Sequence, residues 1–134
     1  MNLTTLVVDD DPIFVMMLKK LLDREPFYKE PKDFGNGQMA MDFLKPNYDP
    51  ATNYVIFLDI NMPVMNGWEF LEGIKEFADP KNTLVFIVTS SINQADLVRA
   101  KENDYVIKYL TKPILSATIA ELKNWIEERL AAST

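Results

Sequence analysis

The sequence predicts an α/β fold, a doubly wound parallel sheet of five strands with five helices on its faces. Three observations predict it. Short apolar runs rich in β-branched and aromatic residues recur along the chain: Leu6 to Val8, Tyr54 to Leu58, Leu84 to Val88 and Val106 to Leu110. Longer stretches with the 3.6-residue period of amphipathic helices lie between them, and this alternation is what a βα repeat produces. The runs are apolar almost throughout, as expected for strands of a parallel sheet covered by helices on both faces.

The elements follow in order. After the first run, Asp11 is placed to cap a helix with Pro12 at its first position, and Phe14, Met17, Leu18, Leu21 and Leu22 then fall on one face. The second strand falls within Tyr28 to Phe34, where Pro31 cannot donate to a ladder and therefore argues for an edge position. The flavodoxin-like strand order 2-1-3-4-5 puts the second strand at an edge, so Pro31 fits that topology. A helix is predicted from about Gly37 to Leu44. Asn66-Gly67 reads as a turn and helix start, followed by the stripe Phe70, Leu71, Ile74, Phe77 and Ala78. Another helix begins near Asn93, with Asp96 three residues on. Leu115, Ile119, Leu122, Ile126 and Leu130 form the stripe of the last helix. No linker or repeat interrupts this pattern, so we expect one domain over residues 1–134 with no attached effector domain.

Composition narrows the chemistry. Twenty acidic against 14 basic residues give a formal charge of −6, and no run of Lys or Arg makes a phosphate-binding stripe, which argues against direct nucleic-acid binding. The chain has no cysteine and no histidine. That excludes disulfides, thiolate catalysis, the usual zinc ligands, a Ser-His-Asp triad and any role as a phosphohistidine donor. No basic leader precedes an apolar segment and no window is apolar enough to span a membrane, so a cytoplasmic protein is expected.

Ligands of parallel α/β sheets bind outside the carboxyl ends of the strands. Those ends are polar here. The first run ends in Asp9-Asp10-Asp11, the third in Asp59, the fourth in Thr89-Ser90-Ser91, and the fifth is followed by Lys112-Pro113. Carboxylates gathered on one rim repel by roughly 4 kcal/mol per pair at 4 Å and an effective dielectric near 20. Lys112 neutralises about one charge, and an all-oxygen donor set suits a hydrated, octahedral Mg²⁺. A divalent site is the economical expectation.

Four segments, Leu6-Val7-Val8-Asp9-Asp10-Asp11-Pro12, Phe57 to Gly67 (Phe-Leu-Asp-Ile-Asn-Met-Pro-Val-Met-Asn-Gly), Ile87-Val88-Thr89-Ser90 and Tyr109-Leu110-Thr111-Lys112-Pro113, together resemble the receiver domain of two-component response regulators. The resemblance spans essentially the whole chain and is nearest to single-domain regulators of the chemotaxis type. It implies that Asp59 is the phosphoacceptor, with the phosphoryl group coming from a histidine kinase or phosphotransfer protein. It further implies that Asp10, Asp59 and the backbone carbonyl of Asn61 ligate Mg²⁺, with Asp9 acting through water. Thr89, Ser90 and Lys112 would contact the phosphoryl group, Tyr109 would be the aromatic switch, and Pro113 is the candidate for a cis peptide bond. Asn61 and Ser91 stand where the family tunes dephosphorylation. The chain departs from the family in carrying Tyr105-Val106 where a Gly-Ala pair is frequent, and Ser90 in place of a frequent alanine.

Such a protein catalyses only its own phosphorylation and dephosphorylation, and its partner or a second copy would dock on the face near residues 93–130. Two other readings compete. An aspartate-nucleophile phosphohydrolase of the haloacid dehalogenase type also combines Asp, Thr or Ser, Lys and Mg²⁺, but expects Asp-x-Asp after the first strand and a cap domain. A constitutive binding module with the receiver fold would need no phosphorylation, yet such modules typically lack an acidic, acceptor or lysine position that this chain has.

Overall fold

The computed structural model describes residues 2–90 and 93–132. Five strands and five helices alternate: β1 (Leu3–Val8), α1 (Pro12–Asp23), β2 (Lys32–Phe34), α2 (Gly37–Asn47), β3 (Asn53–Leu58), α3 (Gly67–Ile74), β4 (Thr83–Thr89), α4 (Gln94–Lys101), β5 (Val106–Thr111) and α5 (Ser116–Ala132). The strands form one parallel sheet in the order β2-β1-β3-β4-β5.

Alternation along the strands divides the core in two. Leu6, Val8, Ile56, Leu58, Val85 and Ile87 point to one face, where they pack with residues of α2 and α3 and with Ala100 of α4. Val7, Val55, Phe57, Leu84, Phe86 and Val88 point to the other, beneath residues of α1 and α5. Because both faces are covered, the three central strands must be apolar at consecutive positions, which explains the near-continuous runs.

The edges differ. β2 is only three residues long, pairs with Leu6 to Val8, and begins immediately after Pro31. β5 is the other edge, as the order 2-1-3-4-5 requires; although its run is apolar, it is half-buried along most of its length, with a register irregularity where it pairs with Val85 and Phe86. Lys108 marks this edge, lying over the Trp125 ring of α5 at 3.9 Å. Tyr105, the first of the two residues that stand in place of the small pair, is buried and donates its hydroxyl to the Ala78 carbonyl at 2.7 Å, tying the start of β5 to the segment that follows α3.

The sequence places every helix start on an Asx cap where one was predicted. Asp11 accepts from the Ile13 and Phe14 amides, and Asn93 from those of Ala95 and Asp96. Asn66 and Glu69 form a reciprocal capping box at α3. α2 runs past Leu44 through Pro46 because its last turn is satisfied from the side: the Asn47 side chain donates to the Phe43 carbonyl at 2.7 Å.

Phe57 and Phe86 stack in the α1/α5 layer at 5.5 Å, both essentially inaccessible. We predict that Phe86→Ala destabilises the protein by about 3–5 kcal/mol, read from a shifted urea midpoint. A loss below about 1 kcal/mol would mean that this layer is not the tightly packed core described.

Candidate functional site

Strand pairing sets the site. Val8 and Leu58 are register partners, so the residues that follow them, Asp9 and Asp59, emerge side by side; the Asp59 amide donates to the Val8 carbonyl at 2.9 Å, and the Asp9 amide to the Phe34 carbonyl at 3.0 Å. Asp10 joins them from the next position. Carboxylate oxygens of Asp9, Asp10 and Asp59 all lie within 4.8 Å of one another.

Lys112 enters from the end of β5. Its ammonium is 2.9 Å from Asp9 Oδ2 and 3.8 Å from Asp59 Oδ2, and it rests over the Phe14 ring of α1 at 4.4 Å. Its own amide donates to the Thr89 carbonyl at 2.8 Å, and the Lys112–Pro113 peptide bond is cis. Asp9 Oδ1 accepts from the Asp11 amide at 2.9 Å, whereas Oδ2 meets Lys112 as an ion pair without a well-angled hydrogen bond. Asp59 Oδ1 accepts from the Asn61 amide at 3.3 Å, which brings the backbone of residue 61 to the site.

Charge is under-compensated here. Asp9 and Asp59 are 3% and 6% exposed, and one ammonium faces three carboxylates. Burial, followed by the neighbouring charge of Asp9, pushes the Asp59 carboxyl up to about 6, with Lys112 and the Asn61 amide acting in the opposite direction. Burial also raises Asp9, partly offset by Lys112 and by the Asp11 amide. A buried carboxylate oxygen left without a full hydrogen bond, beside two further carboxylates and no sulfur or nitrogen donor, fits a hard divalent cation such as Mg²⁺. The carboxylates of Asp9, Asp10 and Asp59 are the groups that would hold it.

Thr89 is buried at the end of β4 and Ser90 is exposed just beyond it. Ser91 lies outside the described residues. Tyr109 is not among the carboxylates: half-buried on β5, it packs against the α2/α3 layer with its phenol toward Asn93 and Asp96 at the start of α4. Burial and then the Asp96 charge raise this phenol, while a hydrogen bond from the Asn93 backbone lowers it.

The β3–α3 loop adds constraints beyond the turn and helix start that Asn66-Gly67 marks in the sequence. A Cβ on Gly67 would lie 2.6 Å from the Asp59 carbonyl oxygen, so only glycine lets α3 start this close to the acidic strand end. The Gly67 amide donates to the Ile60 carbonyl at 2.9 Å. Val64 has φ 68°, and the Met65 amide closes a three-residue turn on the Pro63 carbonyl at 2.8 Å. A β-branched residue in that region costs about 1–3 kcal/mol, and its side chain is 79% exposed. Phe14 was legible only as a member of the α1 stripe. Its position three residues after the Asp11 cap is the signal that could have placed it under Lys112.

The raised Asp59 has a sign that can be tested. Holding this carboxyl at about 6, against an ordinary 3.8, costs the folded state on the order of 3 kcal/mol at neutral pH. Between these values the folded protein binds a proton that the unfolded chain does not, so stability falls as pH rises from about 4 to about 6 and stays low above it. Asp59→Asn should therefore stabilise the metal-free protein by about 2–3 kcal/mol at pH 7, and by little near pH 4, in urea titrations at the two pH values. Equal stability of the two proteins at pH 7 would contradict the crowding described.

Known proteins share the family and the fold. The family model for the response regulator receiver domain matches residues 5–124. The chemotaxis protein CheY-3 of Vibrio cholerae is 28% identical over 130 residues, covering 96% of this chain and 95% of that protein. Among solved structures, a two-component response regulator from Cytophaga hutchinsonii superposes with a TM-score of 0.83 at 28% identity, covering 95% and 98% of the two chains. A chain of the CheX–CheY–BeF3–Mg complex from Borrelia burgdorferi gives a TM-score of 0.76 at 26% identity, covering 92% of this chain and 88% of that one. With the matched model covering nearly the whole chain and the acidic cluster at its strand ends, the chain belongs to the receiver domain family of two-component response regulators.

Proposed function

We propose that this receiver is a phosphorylation-driven switch in which Asp59 takes a phosphoryl group from a histidine kinase or phosphotransfer protein. The observation that carries the reading is the buried Asp59 carboxylate at a strand end, with two further carboxylates within 4.8 Å and an ammonium at 3.8 Å. An Asp59 oxygen forms the new P–O bond as the donor's P–N bond breaks, and the product is an acyl phosphate. Such a transfer asks mainly for positioning and neutralisation of the phosphoryl oxygens. Mg²⁺ held by Asp10, Asp59 and the Asn61 carbonyl, with Asp9 through water, would supply much of that neutralising charge.

The chain's own groups complete the site. Lys112, already between Asp9 and Asp59, exchanges carboxylate contacts for contact with the anionic product. The Thr89 hydroxyl binds a phosphoryl oxygen from the end of β4, and Ser90 is small enough to leave the approach open. Movement of Thr89 toward the phosphoryl group frees space into which Tyr109 turns, and the two-state shift is read on α4, β5 and α5. Chemistry in this reading is confined to phosphorylation and dephosphorylation of Asp59. No helix among the described residues is long and apolar enough to cross a membrane, and we place the protein in the cytoplasm with its kinase.

Incubation with acetyl phosphate and Mg²⁺ should add one phosphoryl group to the wild-type protein by intact-mass spectrometry, and none to Asp59→Asn. The same base-labile mass on Asp59→Asn would displace the acceptor.

Lys112→Ala should retain the modification while losing most of the response. With beryllofluoride and Mg²⁺, backbone amide shifts at Thr89 and Tyr109 should shrink well below wild type, because the ammonium binds the product and supplies no proton. Shifts equal to wild type would remove Lys112 from the coupling.

A further inference from the structure

We infer that Trp68 is a positioning residue that anchors α4 to the strand end carrying Asp59, and so transmits the state of that carboxylate to the output face. The inference rests on the receiver reading proposed above, and it adds a route that does not pass through Thr89.

Helix α4 is held weakly by apolar packing: Ala100 is its only buried residue. An indole helps to fasten it. Trp68, the second residue of α3 and itself only 9% exposed, donates its Nε1–H to Asp96 Oδ1 at 3.2 Å, and the Arg99 guanidinium lies over its ring at 4.5 Å. Asp96 and Arg99 are three residues apart on α4, one turn of helix, so both grip the ring from the same face. A hydrogen bond to a carboxylate and a cation over an indole are each stronger than their neutral counterparts.

The other end of the link is rigid. Gly67 leaves no room for even a methyl group against the Asp59 carbonyl, and its amide is bonded to Ile60. A displacement of the backbone around Asp59 therefore moves the first turn of α3, and Trp68 with it. Asp96 also faces the Tyr109 phenol, whose hydroxyl meets the Asn93 backbone one turn earlier. The first turn of α4 is thus held from two sides, by Trp68 and by Tyr109. When Tyr109 turns away, the indole remains, and α4 pivots on Trp68 instead of detaching.

The test uses Trp68→Phe, which keeps an aromatic ring beneath Arg99 but has no N–H, and Asp96→Ala, a change at a half-buried helix position that removes no apolar core side chain. Asp96→Asn retains an acceptor oxygen and serves as the conservative control. In both loss variants, amides of residues 94–101 should exchange with solvent about tenfold faster, the equivalent of one lost hydrogen bond to a charged group. Beryllofluoride with Mg²⁺ should still shift the Asn61 and Thr89 amides while the α4 response falls at least fivefold. Asp96→Asn should behave within twofold of wild type. Wild-type exchange and wild-type α4 response in Trp68→Phe and Asp96→Ala would overturn the anchor while leaving the receiver reading intact. Absence of any beryllofluoride response at Asn61 and Thr89 in the wild-type protein would overturn both.

Discussion

Crowding of negative charge at the ends of β1 and β3 is the constraint on which the rest of the site depends. The register that pairs Val8 with Leu58 leaves Asp9 and Asp59 adjacent, and that register is fixed by six paired residues per strand in a buried, close-packed sheet. The carboxylates cannot separate without sliding one central strand past another. Relief has to come from the open side of the rim, through protonation, a cation, or Lys112. Each of these is reversible, which makes the strand ends sensitive to the arrival of one more charged group.

Around this fixed pair, the rim is built from parts of graded stiffness. Asp11, Asn66 and Asn93 cap three helices, which fixes where each of them starts. The start of α3 is pressed against Asp59 by Gly67, while α4 hangs on Trp68 and Tyr109 with a single buried residue of its own. Local opening takes least where few apolar contacts must be broken, so in the proposed switch a change at the rigid acidic end would be expressed in the loosely held helix rather than in the sheet. Lys112 sits between the two regimes: its amide is bonded to Thr89 at the end of β4, and its ammonium reaches back to Asp9.

Much of this was legible because the deciding signals are local. Pro31 marked an edge strand, the Asx residues marked helix starts, and carboxylates ending apolar runs marked the rim. What escaped depends on partners distant in sequence. Lys108 interrupts the apolar run Val106 to Leu110, and its role appears only once Trp125 lies beneath it. The first strand starts at Leu3 rather than Leu6 because Thr4 and Thr5 pair with Tyr54 and Val55, and pairing outweighs their polarity. Trp68 reads in the sequence as a packing or surface aromatic. Its contact with Asp96 spans 28 residues and exists only after β4 has been laid between them.

Strand register holds Asp59 in a crowded, cation-hungry state, and the decisive measurement is the carboxyl ¹³C chemical shifts of Asp9, Asp10 and Asp59 followed across pH with and without Mg²⁺. Asp59 should titrate near 6 without metal and move well downward when millimolar Mg²⁺ is added. An Asp59 that titrates near 3.8 in both conditions would contradict it.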